Sequence, residues 1–485
     1  IDPSSSKVRV AGKRVKGSTP SYRRPMMRRP PRILIPRKFT TATASERRSF
    51  GFSGAGFLGC YHVGVTACLH RHGWLPHPDD DAYSRDKMPL LTGVSAGSMI
   101  AASILAGVNP EPDGMEVVLE AARCTRELSQ RKKQHQQQNE ESKSFNFGIS
   151  LDVLTPGFSL IDAAEGPFRD AMVKALGGYC QKDQSGNVTI HDIDPELFAR
   201  RFPDGSLRIG LTDRRDLWPP PMPFPVSQRL LDSYRYVDTY RNLEDVIACS
   251  MLSSYIPGIT GPLKLKDKLP EFLGGFLNSG LMGTNNNAPG NKNGVDASDR
   301  AGLCLNEMAR LGLVKHGKTG LPIVENEAQG VEDEDTGDDK KKHLEPTYYW
   351  DGGIADVFPT IDKNTVVVAP VNGLFDPNPF ICPRIPDEEF DATIDERGEN
   401  SDSQTQATTS LQSNALLQQF LVPYLPTTFR HCPKAQLGLN SKNAYTALKM
   451  IFSSDDDELY SRFREGYDDA RRFLGDSGQL RVFSG

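Results

Sequence analysis

A chain of 485 residues, 38% of them hydrophobic and 25% charged, can bury a substantial core; it contains no run of the roughly 18 apolar residues that a membrane-spanning helix requires, so membrane contact is expected to be peripheral. Eight cysteines with no C-x-x-C pair argue for reduced thiols rather than a disulfide framework or a structural zinc. The formal net charge of −5 is unevenly spread: residues 1–45 hold twelve Lys or Arg against the single acid Asp2, the remainder is acidic, and nucleic acid is a poor fit as partner.

The basic leader, residues 1–46, is rich in Arg, Ser and Pro and has no apolar stretch of helical length, so it reads as disordered. Two roles fit it. Arg-rich, acid-poor text suits an organelle transit peptide, and the bland alternative is a basic tail resting on anionic lipid.

From Arg48 the text alternates short apolar runs with glycine turns: RSFGFSG, FLGCYHVGVTACLHRHG, then MPLLTGVSAGSMIAASILAG. The pattern predicts strand, helix, strand, helix. After the first strand comes Gly54-Ala55-Gly56-Phe57-Leu58-Gly59, a G-x-G-x-x-G string. A dinucleotide site would need an acid about 20 residues on at the end of the next strand. Asp79 to Asp81 lie near that distance but in the polar loop HPDDDAYSRD. The alternative is an oxyanion hole built from closely spaced backbone N–H groups of Gly54, Ala55 and Gly56, where glycine lets the main chain approach a substrate.

Gly93-Val94-Ser95-Ala96-Gly97 follows the second strand and opens the second helix. A G-x-S-x-G between strand and helix predicts a nucleophile elbow: Ser95 is held strained with its hydroxyl exposed, and the flanking glycines avoid clashes. A Gly/Ser turn without chemistry is the bland reading. The elbow one strand after the glycine loop favours oxyanion hole over nucleotide site.

Downstream, RKKQHQQQNEESK (131–143) is a solvated helix end or loop, and LRIGLT (207–212), TYYWDGG (347–353) and NTVVVAPV (364–371) are further strand candidates. Alternation of this kind predicts a largely parallel sheet covered by helices. A polar insert at about 263–345, with TNNNAPGNKNG and VEDEDTGDDKKK, lacks the apolar content expected of packed structure, as does the linker at 383–435. Asp351-Gly352-Gly353 sits at a strand end, either an acid aimed into a cleft or an ordinary D-G turn. In the last stretch, 436–485, Leu459, Phe463, Tyr467, Ala470 and Leu474 mark an amphipathic helix with Ser454 as N-cap and Gly475 as stop.

GAGFLG, GVSAG and DGG in this order resemble the patatin-like phospholipase domain. FSGAGFLGCYHVGVTACLHRHG, VIACSMLSSYIPGITGPL and EGYDDARRFL are similar to the adipose triglyceride lipase-like branch of that family. The resemblance implies a catalytic domain at about 47–382 with a three-layer α/β/α sandwich fold. It further implies a Ser-Asp dyad with Ser95 as nucleophile and Asp351 as base, an oxyanion hole at Gly54, Ala55 and Gly56, and supporting turns at Gly59, Gly93, Gly97, Gly352 and Gly353. The long insert before Asp351 departs from the family's short connection.

The expected function is therefore a lipid acyl hydrolase without metal or cofactor, intracellular and peripheral to a membrane or lipid droplet. Its partners would be a lipid ester and a protein co-activator. Its acyl pocket would be lined by helix 57–72 and by Ser254 to Pro262. Transacylation on the same fold and a catalytically silent lipid-surface scaffold are the alternatives. A Ser-Asp-His triad would need a histidine after the acid, and His431 is the residue in that position.

Overall fold

A computed structural model describes residues 47–75, 88–138, 160–182, 188–216, 232–256, 260, 297–323, 349–375, 378–383, 435–437, 441–451 and 454–477. The basic leader, the HPDDDAYSRD loop, the TNNNAPGNKNG and VEDEDTGDDKKK runs and residues 384–434, with His431, lie outside them.

The apolar run SFGF forms β1 (Ser49–Phe52), buried at all four positions. Burial on both faces needs a neighbour on each edge and helices above and below, which is why the run does not alternate. Its neighbours are β2 (Leu90–Gly93) and β9 (Val366–Val368), both parallel to it. Next to β2 lies β5 (Leu207–Asp213), followed by β6 (Tyr234–Val237) and β7 (Val314–His316); β11 (Phe380–Ile381) closes the other side beside β9. The β11-β9-β1-β2-β5 part is parallel, whereas β6, β7 and β8 (Tyr349–Asp351) pair antiparallel. The result is the expected mostly parallel central sheet flanked by helices, with an antiparallel edge that strand periodicity did not announce. Two small antiparallel pairs stand apart, β3 (Tyr179–Lys182) with β4 (Val188–His191) and β10 (Gly373–Phe375) with β12 (Ala435–Leu437).

Helices α1 (Gly59–Arg71) and α2 (Ala96–Ala106) follow β1 and β2, and their Val, Leu, Ile and Ala side chains enter the main core with Phe50, Phe52 and Leu91. Helices α3 (Met115–Gln138), α4 (Leu160–Ala175), α5 (Pro195–Arg201) and α6 (Leu243–Ser253) come next in the chain. α6 is capped by the Asn242 side chain, which accepts from Asp245 N.

Part of the insert expected to be unpacked is ordered core. α7 (Ala297–Arg310) and β7 place Ala301, Leu305, Met308, Ala309 and Val314 against the main cluster. These residues recur at helical spacing, but the polar runs on both sides mask the pattern in any broad window. After β8 come the single turn α8 (Gly352–Ala355), then α9 (Ser441–Ile451) and α10 (Asp456–Asp476).

The apolar stripe of α10 is as expected, with Leu459, Phe463, Ala470 and Leu474 buried, but its ends are not. Asp455 rather than Ser454 is the N-cap, accepting from Glu458 N at 2.8 Å. Aspartate also suits the positive end of the helix dipole. Gly475 continues the helix, because Ser477 takes the C-cap and bonds back to the carbonyls of Phe473, Leu474 and Gly475.

Candidate active site

Strand β5 explains why residues far apart in sequence meet. β2 pairs with its first part, Gly93 opposite Ile209, and then leaves the sheet. β8 runs in the opposite direction along the later part, and its last residue, Asp351, stands opposite Leu211. β6 pairs with residues 209–212 of β5, so β2 and β8 must share the other edge. Their C-terminal ends converge on the gap at Gly210, one carrying Ser95 and the other Asp351.

Ser95 is the N-cap of α2 with φ 53° and ψ −138°, one of two non-glycine residues with positive φ among those described. A backbone state of this kind costs about 1–3 kcal/mol and persists where the surroundings fix it. They do so here: the Ser95 N–H donates to Ser253 Oγ at 2.9 Å, and its carbonyl accepts from Ser98 N and from Ser98 Oγ. The elbow is packed main chain against main chain. A β-carbon on Gly93 would strike the Gly97 carbonyl, and one on Gly97 the carbonyls of Phe52 and Ser53. The sequence signature is thus a packing requirement.

Asp351 is 3% exposed. Its N–H donates to Tyr255 O at 2.9 Å, its carbonyl accepts from Thr212 Oγ1 at 2.7 Å, and its carboxylate caps α8 by accepting from Gly353 N at 2.7 Å. Burial pushes the carboxyl up to about 7, against the hydrogen bonds from the Ser95 side chain and Gly353 N–H that favour its ionised form. A carboxylate raised this far is a competent base near neutral pH. Gly352 packs on the Gly210 carbonyl, where a side chain would not fit.

The glycine loop also approaches Ser95. A β-carbon on Gly54 would stand 3.4 Å from Ser95 Cβ and 4.0 Å from its Oγ. Gly56 has φ 51° and abuts the Met450 carbonyl of α9, so the C-terminal part of the chain backs this loop. Gly59 is different: a β-carbon there would make only ordinary contacts, to Ala96 and Val118. A dinucleotide fingerprint uses its third glycine for close helix packing, and nothing requires that here. His62 of α1 bonds through Nε2 to Ser53 O at 3.0 Å and is fully buried. Burial lowers its pKa to about 4, with the Ser53 bond opposing the shift, so the ring is neutral and a donor at Nε2.

Of the residues chosen from sequence, Ser95 and Asp351 meet and Gly54 lies against the Ser95 side chain; Gly93, Gly97, Gly352 and Gly353 shape the turns at this point, and Ala55 and Gly56 continue the loop from Gly54. Of the Ser254 to Pro262 segment, Ser254–Ile256 and Thr260 are described. They hold Asp351 through the Tyr255 carbonyl and knit the loop by Thr260 Oγ1 donating to Ser254 O at 2.6 Å. Sequence reasoning missed Ser253, Thr212 and Gly210. Their signal is faint, a run of small residues in a buried helix and one glycine inside a strand. A groove of about 910 Å³ lined by Phe198, Phe202, Tyr240 and Leu243 opens beside the start of β5, away from the end where Ser95 and Asp351 meet. Among the described residues no cluster of His, Cys, Asp and Glu could hold a metal ion.

Residues 52–282 match the family model described as patatin-like phospholipase. Over 78 residues the chain is 38% identical to the human protein named 1-acylglycerol-3-phosphate O-acyltransferase PNPLA3, which covers 16% of this chain and 14% of that protein's length. No solved structure matches the chain.

Proposed function

We propose, from the match of residues 52–282 to the patatin-like phospholipase family model and from the geometry of the site, that the chain is a lipid acyl hydrolase working through a Ser95–Asp351 dyad. The observation that carries this reading is the convergence of β2 and β8 on Gly210, which gives a strained, half-buried serine a buried carboxylate with a pKa of about 7 as hydrogen-bond partner.

In the proposed reaction Asp351 takes the Ser95 proton as Oγ attacks an ester carbonyl. The tetrahedral oxyanion is met by N–H groups of the Gly54–Gly56 loop. Collapse breaks the ester bond, and the departing alkoxide receives the proton from Asp351. Water, deprotonated by the same carboxylate, then attacks the acyl-enzyme; fatty acid leaves and the proton returns to Ser95. Each step needs one base and one oxyanion site, and no metal or cofactor enters. Among the described residues no helix is long and apolar enough to cross a membrane.

The activity in the name of the human relative favours a second reading, acyl transfer to 1-acylglycerol-3-phosphate. The two share the acyl-enzyme and differ in whether water or a lipid hydroxyl receives the acyl group. Fatty acid released from triacylglycerol emulsion and from phosphatidylcholine vesicles, with and without added 1-acylglycerol-3-phosphate, separates them. Release without acceptor, absent in Ser95→Ala, is the expected result. Diacylated product formed only with acceptor would establish transfer, and equal background in both proteins would leave a silent scaffold.

A further inference from the structure

The second serine at the site comes from α6. Ser253 is fully buried, and its hydroxyl makes two bonds, accepting from Ser95 N at 2.9 Å and donating to Gly210 O at 2.7 Å. A serine in a helix ordinarily satisfies itself on the carbonyl four residues back, and Ser254 next door does so, donating to Ser250 O at 3.1 Å. Ser253 instead reaches out of its helix to two other segments. Both lie at the convergence point: Ser95 is the strained residue after β2, and Gly210 stands in β5 between Ile209, opposite Gly93, and Leu211, opposite Asp351.

We propose that Ser253 is a positioning residue whose hydroxyl ties the Ser95 backbone to Gly210 of β5 and thereby sets the separation of the Ser95 hydroxyl and the Asp351 carboxylate. It touches no reacting atom. The bond to Ser95 N holds the positive-φ elbow in place, and the bond to Gly210 O refers that elbow to the strand on which β8 ends. Without it the hydroxyl of Ser95 is free to drift relative to its base, and a misplacement of about 1 Å at such a site costs on the order of 10²-fold in rate.

The inference rests on the Ser95–Asp351 reading, and the test separates the two. Ser253→Ala, Ser253→Thr and Ser253→Cys are compared with the full chain for kcat and KM on p-nitrophenyl butyrate, for the rate at which a fluorophosphonate labels Ser95, and for melting temperature. Ser253→Ala is expected to lose about 10–100-fold in kcat and in labelling rate with KM within about twofold. Ser253→Thr, which keeps the hydroxyl, should stay within about threefold of wild type in both. A folded Ser253→Ala with wild-type kcat and labelling overturns the proposal alone. So does equal slowing in Ala and Thr variants, since packing and not the hydroxyl would then be at fault. Where Ser253→Ala fails to fold, Ser253→Cys decides: its thiol is a weak acceptor, so slowed labelling in a folded protein supports the proposal and unchanged labelling overturns it. A wild type that neither hydrolyses nor labels overturns the dyad reading and this one together.

Discussion

Gly64 of α1 and Gly466 of α10 each face the main chain of the opposite helix: a β-carbon on Gly64 would run into the Phe463 carbonyl, and one on Gly466 into the Tyr61 carbonyl. Nearby, the buried Tyr61 hydroxyl donates to Asp469 Oδ2 at 2.8 Å and fixes the register of the two helices. Gly64→Ala and Gly466→Ala are each expected to lower stability by about 1–3 kcal/mol, because a well-packed contact has no room for an added methyl. Thermal melting checks this. Unchanged melting in both variants would mean that the helices separate without cost.

Asp351 ties activity to pH. With its carboxyl at about 7, kcat/KM should rise as pH increases through about 7, as the base form accumulates, and level off above. The stability effect has the opposite sign. The folded pKa is raised above the unfolded one, so the folded state holds the proton more tightly, and burying the carboxylate costs stability progressively from about pH 4 up to about 7. Asp351→Asn removes that cost, so its melting temperature relative to wild type should increase with pH across this window while activity falls by about 10³-fold or more. A pH–rate profile with no inflection between 6 and 8 would remove Asp351 as the base.

Gly54 offers a test of the oxyanion loop that spares the fold. The β-carbon of Gly54→Ala meets only the Ser95 side chain, at 3.4 Å and beyond, so melting should be unchanged. It occupies the space between loop and nucleophile that an ester carbonyl must enter. A loss of about 10²-fold in kcat/KM is expected, and wild-type activity would place the oxyanion elsewhere.

His62 makes the protein acid-sensitive. Its folded pKa of about 4 lies below the ordinary value of 6.5. The unfolded chain therefore binds the proton first, and stability present above about pH 6.5 is lost as pH falls toward 4. His62→Gln keeps a donor for Ser53 O but carries no titrating ring. Its unfolding free energy, measured in urea at pH 7, 5.5 and 4.5, should fall less steeply than that of wild type. Identical slopes would show that His62 does not govern this window.

Much of this was legible in the sequence for identifiable reasons. β1, β2 and β9 are short apolar runs with glycine or proline at their ends, and the elbow demands its two glycines on steric grounds, so text and geometry coincide there. The antiparallel edge was not legible, since β6 and β8 are three- or four-residue strands whose pairing depends on β5 rather than on their own pattern. α7 was hidden by its polar surroundings. Ser253 was hidden for another reason: nothing about a serine in VIACSMLSS says whether its hydroxyl turns back to its own helix or outward to the nucleophile. That choice belongs to tertiary packing.

The position of β9 beside β1 has a practical consequence for handling the protein. The stretch matching the family model ends at residue 282, and it holds Ser95 and the glycine loop but neither Asp351 nor β9, which pairs with Phe50–Phe52. A fragment ending there would present β1, apolar and unpaired along one side, as a template for association with other chains. It is expected to come out of expression as aggregate, and any failure to hydrolyse lipid would then say nothing about the chemistry of the whole chain.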